Sequence, residues 1–304
     1  AGPVVCFGLL SRLFDALPTT APIAETLLAL RPGVTGDFLA KQYSRFWGYD
    51  ISAQQVASAL GCGWAMVLLA ALALAPLYAL GYELGGAKLA VAAAGAYAVL
   101  PSLTLYSGAM DLAYPLVVAG TMLGFVRGCR ACAAGRQRAA MGWALLAGLL
   151  LAVGLFLSLG MGVVGAGFVL IIGLVVLLQR DASERARLLR RLGPVLLAGL
   201  APVLVVFAGL KFVAGYDVLS VMRVSDAYRM YGYNHLWGRP YLPFLWRNLI
   251  EAAAFVGPLL VAGGWGTWLA WRDRASHTLL TAFIIALPVM LIVLDVSGKI
   301  RGET

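Results

Sequence analysis

Charge is scarce in this chain. Only 12% of its 304 residues are Asp, Glu, Lys or Arg, 62% are hydrophobic, and the mean hydropathy is +0.88. Soluble domains carry roughly 25% charged residues, and a water-soluble chain this apolar would expose surface it has no polar groups to cover. Histidine occurs twice, at His235 and His277, and cysteine four times. Cys129 and Cys132 form a C-x-x-C with no second pair and no nearby histidine, so a zinc site is unsupported. There is no P-loop, no G-x-G-x-x-G after a strand, no H-E-x-x-H and no G-x-S-x-G, which removes the nucleotide-binding, zinc-protease and serine-hydrolase signatures. Internal repeats are absent, and no basic segment precedes the opening apolar stretch, so no signal peptide is visible. The chain starts at Ala1 rather than Met and stops soon after an apolar stretch; it reads as a piece of a longer protein.

What is abundant is the long apolar run. A spanning helix needs about 20 predominantly apolar residues, and eight segments qualify approximately: 56–81, 88–105, 112–127, 139–157, 160–178, 193–213, 248–271 and 277–297. Their many Gly and Ala residues suit close packing of helices in lipid. Pro76, Pro101, Pro115, Pro202, Pro258 and Pro288 are tolerable there because neighbouring helices satisfy the freed carbonyls. The expected fold is all-α, a polytopic transmembrane bundle forming one domain over 1–304. Residues 1–17 hold Arg12 and Asp15 and are too short to span, so they read as an interfacial helix. Residues 18–55, punctuated by Pro18, Pro22, Pro32, Gly33 and Gly36, read as short surface helices and turns, and Ser52 with Gln55 as a capping box opening the first span.

The net charge of +9 has a membrane explanation. Of the 23 Lys and Arg, 12 fall in the segments 82–88, 127–138, 179–192 and 272–276, which occupy every second inter-span position. The short segments 106–111 and 158–162 between them hold none. Short loops obey the positive-inside rule best, so the Arg-rich segments are expected in the cytoplasm. That leaves 18–55, 106–111, 158–162, 214–247 and 298–304 on the outer face of a cell membrane.

Few polar residues escape this pattern. Asp111 opens the third span from a short outer loop without a basic partner; it is either a helix cap or a carboxylate free to take a proton or hold a metal. The long outer loop 214–247 holds five of the twelve Tyr, two Trp, four Arg and His235. It is either an aromatic belt at the interface or a lid that stacks Tyr228, Tyr231, Tyr233 and His235 on a sugar or headgroup and sets Arg223, Arg229 and Arg239 against phosphate. Asp295 lies near the outer end of the last span, snorkelling to the surface or facing a cavity. Lys299, Arg301 and Glu303 follow it, as a phosphate-facing cluster or a solvated tail.

Three stretches carry a resemblance. Ala1–Phe14 (AGPVVCFGLLSRLF) is similar to the segment after a His-Pro or Pro-Pro dipeptide in multi-spanning glycosyltransferases of the GT-C type. Leu74–Leu116 resembles their second and third helices, with a small cytoplasmic turn and an acid beginning the next helix. Val296–Thr304 (VSGKIRGET) looks like an S-G-x-x-R-G-E stretch of bacterial relatives. The architecture resembles protein mannosyltransferases and lipid A aminoarabinose transferases of bacterial inner membranes. The resemblance implies transfer of a sugar from a polyprenyl-phosphate donor to an acceptor on the outer face, in contact with membrane lipid and without nucleic acid. Asp111 matches the second outer-loop acid of such enzymes; the first would precede this chain. Arg301 and Glu303 match a donor-side polar element. A divalent cation is one means of meeting the departing phosphate.

Two other classes stay open: a transporter or flippase of a lipid-linked substrate, and a non-catalytic membrane scaffold. Transporters place polar residues at mid-membrane on broken helices, whereas the second to sixth expected spans are almost free of charge at their centres. The topology is testable by cysteine accessibility in whole cells. A single Cys at Gln137 is expected to resist an impermeant reagent and one at Asn234 to react; the reverse result inverts the topology and moves the outer-face site with it.

Overall fold

The computed structural model describes Arg12 and residues 53–100, 110–178, 181–231, 250, 268, 279, 281–286 and 289–290. The interfacial segment 1–17, most of 18–55, most of the expected spans 248–271 and 277–297, and the tail 298–304 lie outside the described residues. Among the described residues the chain is helical and contains no strand. Four helical stretches among the described residues are long and apolar enough to cross a membrane, and Gly162–Leu178 is a shorter apolar helix.

Helix α1 (Ala53–Leu72) runs almost straight into α2 (Leu74–Ala98), with Ala73 still in the right-handed helical region. The irregularity at the junction follows from Pro76. Proline lacks the N–H that would bond the carbonyl of Leu72, and its ring crowds that carbonyl. Within α2 the chain reverses at Gly85 and Gly86, the latter at φ 76°, a conformation costly for any side-chain-bearing residue. The reversal is tight. A Cβ on Gly81 would stand 2.7 Å from Cα of Ala90, and Tyr97 O–H donates to the Ala70 carbonyl at 3.0 Å across the hairpin. In one continuous helix, residues 81 and 90 would be separated by roughly 13 Å. The turn thus falls inside 82–88, where the charge pattern expects one.

A 3-10 turn (Met110–Ala113) leads into α3 (Tyr114–Ala133), which pairs with α4 (Gln137–Leu157) as an antiparallel hairpin. The link is only Ala134–Gly135–Arg136, closed by Arg136 N–H on the Ala131 carbonyl, with Gly135 at φ 73°. The sequence reading expects a loop over 127–138. In the structure the arginines at 127, 130 and 138 instead ride on the helix ends, because long Arg side chains carry their charge out to water while the backbone stays helical.

A second 3-10 turn (Leu159–Met161) joins α4 to α5 (Gly162–Leu178), and α6 (Ala182–Ala214) follows. Here too the expectation needs correction. The segment 179–192 reads as a loop by hydropathy, yet α6 begins at Ala182 and carries Arg185, Arg187, Arg190 and Arg191 on its first three turns. Asp181 accounts for the early start. One of its oxygens accepts the Ser183 N–H at 2.8 Å and the other the Ser183 hydroxyl at 3.0 Å, with Glu184 favourable in the first turn. Helix α7 (Val218–Tyr231) occupies the first part of the expected outer loop.

Packing among α3, α4 and α6 rests on small residues. Gly120, Gly124 and Gly128 of α3 face Leu150, Ala147 and Ala140 of α4 in antiparallel register. On its other side α4 meets α6 in parallel, and the backbones come close at Gly148 and Gly199: a Cβ on Gly148 would run into the Gly199 carbonyl oxygen. Buried Ala131, Cys132, Ala140, Ala144, Leu192, Val195 and Ala198 fill the space around this contact. A second cluster joins Met122, Phe125, Val126, Met161 and Ile171 to Ala282, Phe283 and Ala286, with Phe125 and Phe168 stacked at 4.2 Å.

Gly148→Val is expected to destabilise the protein strongly, since only backbone opposes the new side chain and overpacking costs roughly 1–3 kcal/mol or more. On the same helix a Cβ at Gly142 meets nothing within 4 Å, so Gly142→Ala should be neutral or stabilising by roughly 0.5–1 kcal/mol. Thermal melting in detergent distinguishes the two; equal effects would remove the Gly148–Gly199 contact as the determinant.

Candidate functional site

The described helices divide their charged residues between two ends of the bundle. At one end Glu83 receives Arg127 Nε and Arg130 Nη1 on its two carboxylate oxygens, each at 3.0 Å. Arg127 also lies 4.8 Å from the centre of the Trp143 ring. Gln137 donates to the Arg191 carbonyl, tying the α3–α4 turn to α6. The segments 82–88, 127–138 and 181–191 therefore gather at one end. The sequence analysis does not single out Glu83, although it is the one acid of the segments 82–88 and 127–138, which otherwise carry only basic charge.

The opposite end is assembled by apolar contacts. Val117, Gly154 and Met161 pack together, so the start of α3, the end of α4 and the Leu159–Met161 turn are at one level. Tyr216 extends this level to α6: its ring stands 6.2 Å from Phe156, edge-on, and 6.5 Å from Phe207. Leu112 packs with Met66 and Ala70 of α1, which fixes the Met110–Ala113 turn against the first helix. Asp111 is the second residue of that turn. The N-cap position of α3 is Ala113, which makes no side-chain cap, and Pro115 lies in the first turn. The helix that Asp111 was expected to open thus starts three residues later, at Tyr114.

Beyond Tyr216 the chain is organised by Asp217. Its carboxylate accepts from the Leu219 and Ser220 amides at the start of α7 and pairs with Lys211 Nζ at 3.3 Å. The Ser220 amide first, then Lys211, hold this carboxyl below its ordinary pKa. Helix α7 carries four of the expected binding positions: Arg223, Tyr228, Arg229 and Tyr231. Arg223 and Tyr231 are exposed, as are Leu219, Met222 and Val224 of the same helix. Tyr233, His235, Arg239, Asp295, Lys299, Arg301 and Glu303 lie outside the described residues. The structure thus sets the Asp111 turn and the root of α7 at one end of the bundle; Lys211, part of an expected span, anchors α7 there and was missed by hydropathy.

Between the two ends the described helices carry no charged side chain. Cys132 is wholly buried in the α3–α4–α6 interface, and Cys129 and Cys132 form no disulfide. Among the described residues no group of three or more His, Cys, Asp or Glu is placed to hold a metal ion.

The cap on α7 has a pH signature. Because Asp217 titrates lower in the folded protein than in the unfolded chain, its stabilisation is complete above the unfolded value of about 3.9 and is lost as the pH falls through the folded one. Hydrogen-exchange protection of the Leu219 and Ser220 amides is expected to hold down to about pH 5 and to decline below about 4. Asp217→Ala should remove it throughout; a decline already at pH 6 would assign the effect to another group. Comparison with protein-family models, with curated proteins and with solved structures finds no match to this chain.

Proposed function

We propose that this chain belongs to a membrane glycosyltransferase of the GT-C type, one that moves a sugar from a polyprenyl-phosphate donor to an acceptor hydroxyl on the outer membrane face. The observation that carries the reading is the division of charged residues between the bundle ends. One end holds the arginines expected in the cytoplasm, and the other holds the Asp111 turn and the root of a helix bearing Arg223, Tyr228, Arg229 and Tyr231.

The chemistry suits these residue types. The acceptor oxygen attacks the anomeric carbon, the bond from that carbon to the phosphate oxygen breaks, and polyprenyl phosphate departs. Asp111 takes the acceptor proton, as general base. Arg223, Arg229, Arg239, Lys299 and Arg301 are the cations available to the phosphate as its charge grows. Tyr228, Tyr231, Tyr233 and His235 offer flat apolar faces to the sugar, and Glu303 a hydrogen-bond acceptor for its hydroxyls. Ion-coupled transport is less well served, since among the described residues no charged side chain sits at mid-helix in the apolar region.

The test is Asp111→Asn in the full-length protein, assayed for sugar transfer from a lipid-linked donor. The change keeps size and removes charge. Loss of a general base is expected to slow transfer roughly 10²–10⁴-fold, with the melting temperature unchanged. Full activity would eliminate Asp111 as the base.

A further inference from the structure

A groove of about 320 Å³ runs between α4, α5 and α6, backed by α3. It reaches from Gly128 and Leu192 near the arginine-bearing end to Leu155 and Val203 near the other. Its walls are almost wholly apolar, and no charged residue lines it. The groove exists because α5 packs sparsely against α4 and α6, while α4 packs extensively on both α3 and α6. The stacked rings of Phe125 and Phe168 belong to its wall. Val169, Leu196 and Leu200, also in its wall, are exposed.

The charge beside one end of the groove says what enters it. Arg191 immediately precedes Leu192 of the wall, and Gln137 ties Arg191 to the α3–α4 turn that carries Arg136. Arg136, Arg138, Arg190 and Arg191 are all exposed. Among the described residues the acids of this end are engaged or distant. Glu83 is held by Arg127 and Arg130, and Asp181 is spent on capping α6. Glu184 lies two turns before Arg191, in the first turn of α6, roughly 10 Å away. An apolar slot of about 320 Å³ that ends beside arginines unpaired with any described acid is complementary to a molecule with a hydrocarbon tail and an anionic head.

We propose that this groove seats one acyl chain of an anionic phospholipid, with its phosphate held by Arg136 and Arg191. The site lies at the opposite end from the Asp111 turn, and it stands independently of the sugar-transfer reading. The arginines supply charge-assisted hydrogen bonds to the phosphate, and the chain displaces lipid disorder along the α5 flank.

The experiment is native mass spectrometry of the full chain in non-ionic detergent, with phosphatidylglycerol and phosphatidylcholine of identical acyl chains in competition. One phosphatidylglycerol per protein is expected, in clear preference to phosphatidylcholine. Arg136→Gln with Arg191→Gln should weaken its retention roughly 30-fold, whereas Arg136→Lys with Arg191→Lys should keep most of it. Leu196→Trp, which fills the slot and leaves the arginines, should also release the lipid. If the glutamine pair fails to fold, retention by the unaltered protein between 50 and 500 mM salt reads the charge dependence instead, and a fall of about tenfold or more is expected. Equal retention of the two lipids, a glutamine pair that binds as the unaltered protein does, or salt-independent retention would overturn the proposal. So would full retention in Leu196→Trp, or glycerol phosphate stabilising the protein as well as the lipid does, since either would show a headgroup site without a chain seat.

Discussion

The structure depends on how closely backbones approach where α4 crosses α6. With Gly148 against the Gly199 carbonyl, the two helices meet with no side chain between them. In lipid there is no hydrophobic force to drive helices together, so packing contact and short-range attraction decide the arrangement. A one-carbon side chain at Gly148 would have to move a carbonyl, and a moved α6 would shift Leu192, Val195 and Ala198 out of the cluster they share with Ala131, Cys132, Ala140 and Ala144. The other face of α4 repeats the device with Gly120, Gly124 and Gly128 of α3. Helix α4 is thereby clamped on two sides, and α5, which lacks such a seam with it, is left across a groove.

Charge takes its place from this frame. Because α3 and α4 are antiparallel and α4 and α6 parallel, the arginines at the end of α3 and the start of α4 meet those on the first turns of α6. Repulsion between Arg127 and Arg130 is relieved by Glu83, which the hairpin reversal at Gly85–Gly86 delivers to the same level. The two pairs differ in exposure: the Arg127 side chain is 35% exposed and that of Arg130 is 52%. Such half-exposed pairs contribute on the order of 1 kcal/mol or less each, so their role is to fix register rather than to supply stability. At the far end Lys211 and Asp217 do the same for α7.

The candidate site was legible to unequal degrees. Asp111 stands out in sequence because an acid without a basic partner is rare in so apolar a chain. Its setting was not legible: hydropathy places a span start at 112, but the backbone first makes a 3-10 turn whose Leu112 packs on Met66 and Ala70, contacts more than 40 residues distant in sequence. Helix α7 was hidden for a different reason. The segment 214–247 reads as loop because its aromatic and arginine residues interrupt any apolar run, whereas helix formation there needs only the Asp217 cap and an absence of Pro and Gly through Tyr231.

By itself the sequence determined that the chain is helical and suited to a membrane, and roughly where its apolar helices lie, because burial in lipid depends on composition over a 20-residue window. It determined the turns at 82–88 and 158–162, since glycine, the local drop in hydropathy and the alternation of arginine all act locally. Tertiary structure alone decided where helices end and which ones touch. Arginines at 185–191 look like loop to a hydropathy window, yet a helix bears them readily when one face packs and the other meets water. Nothing in a one-dimensional pattern marks Gly148 and Gly199, of 36 glycines, as the pair that must meet. That choice is made by the shapes of two helix surfaces at once, and shape complementarity is a property of the pair.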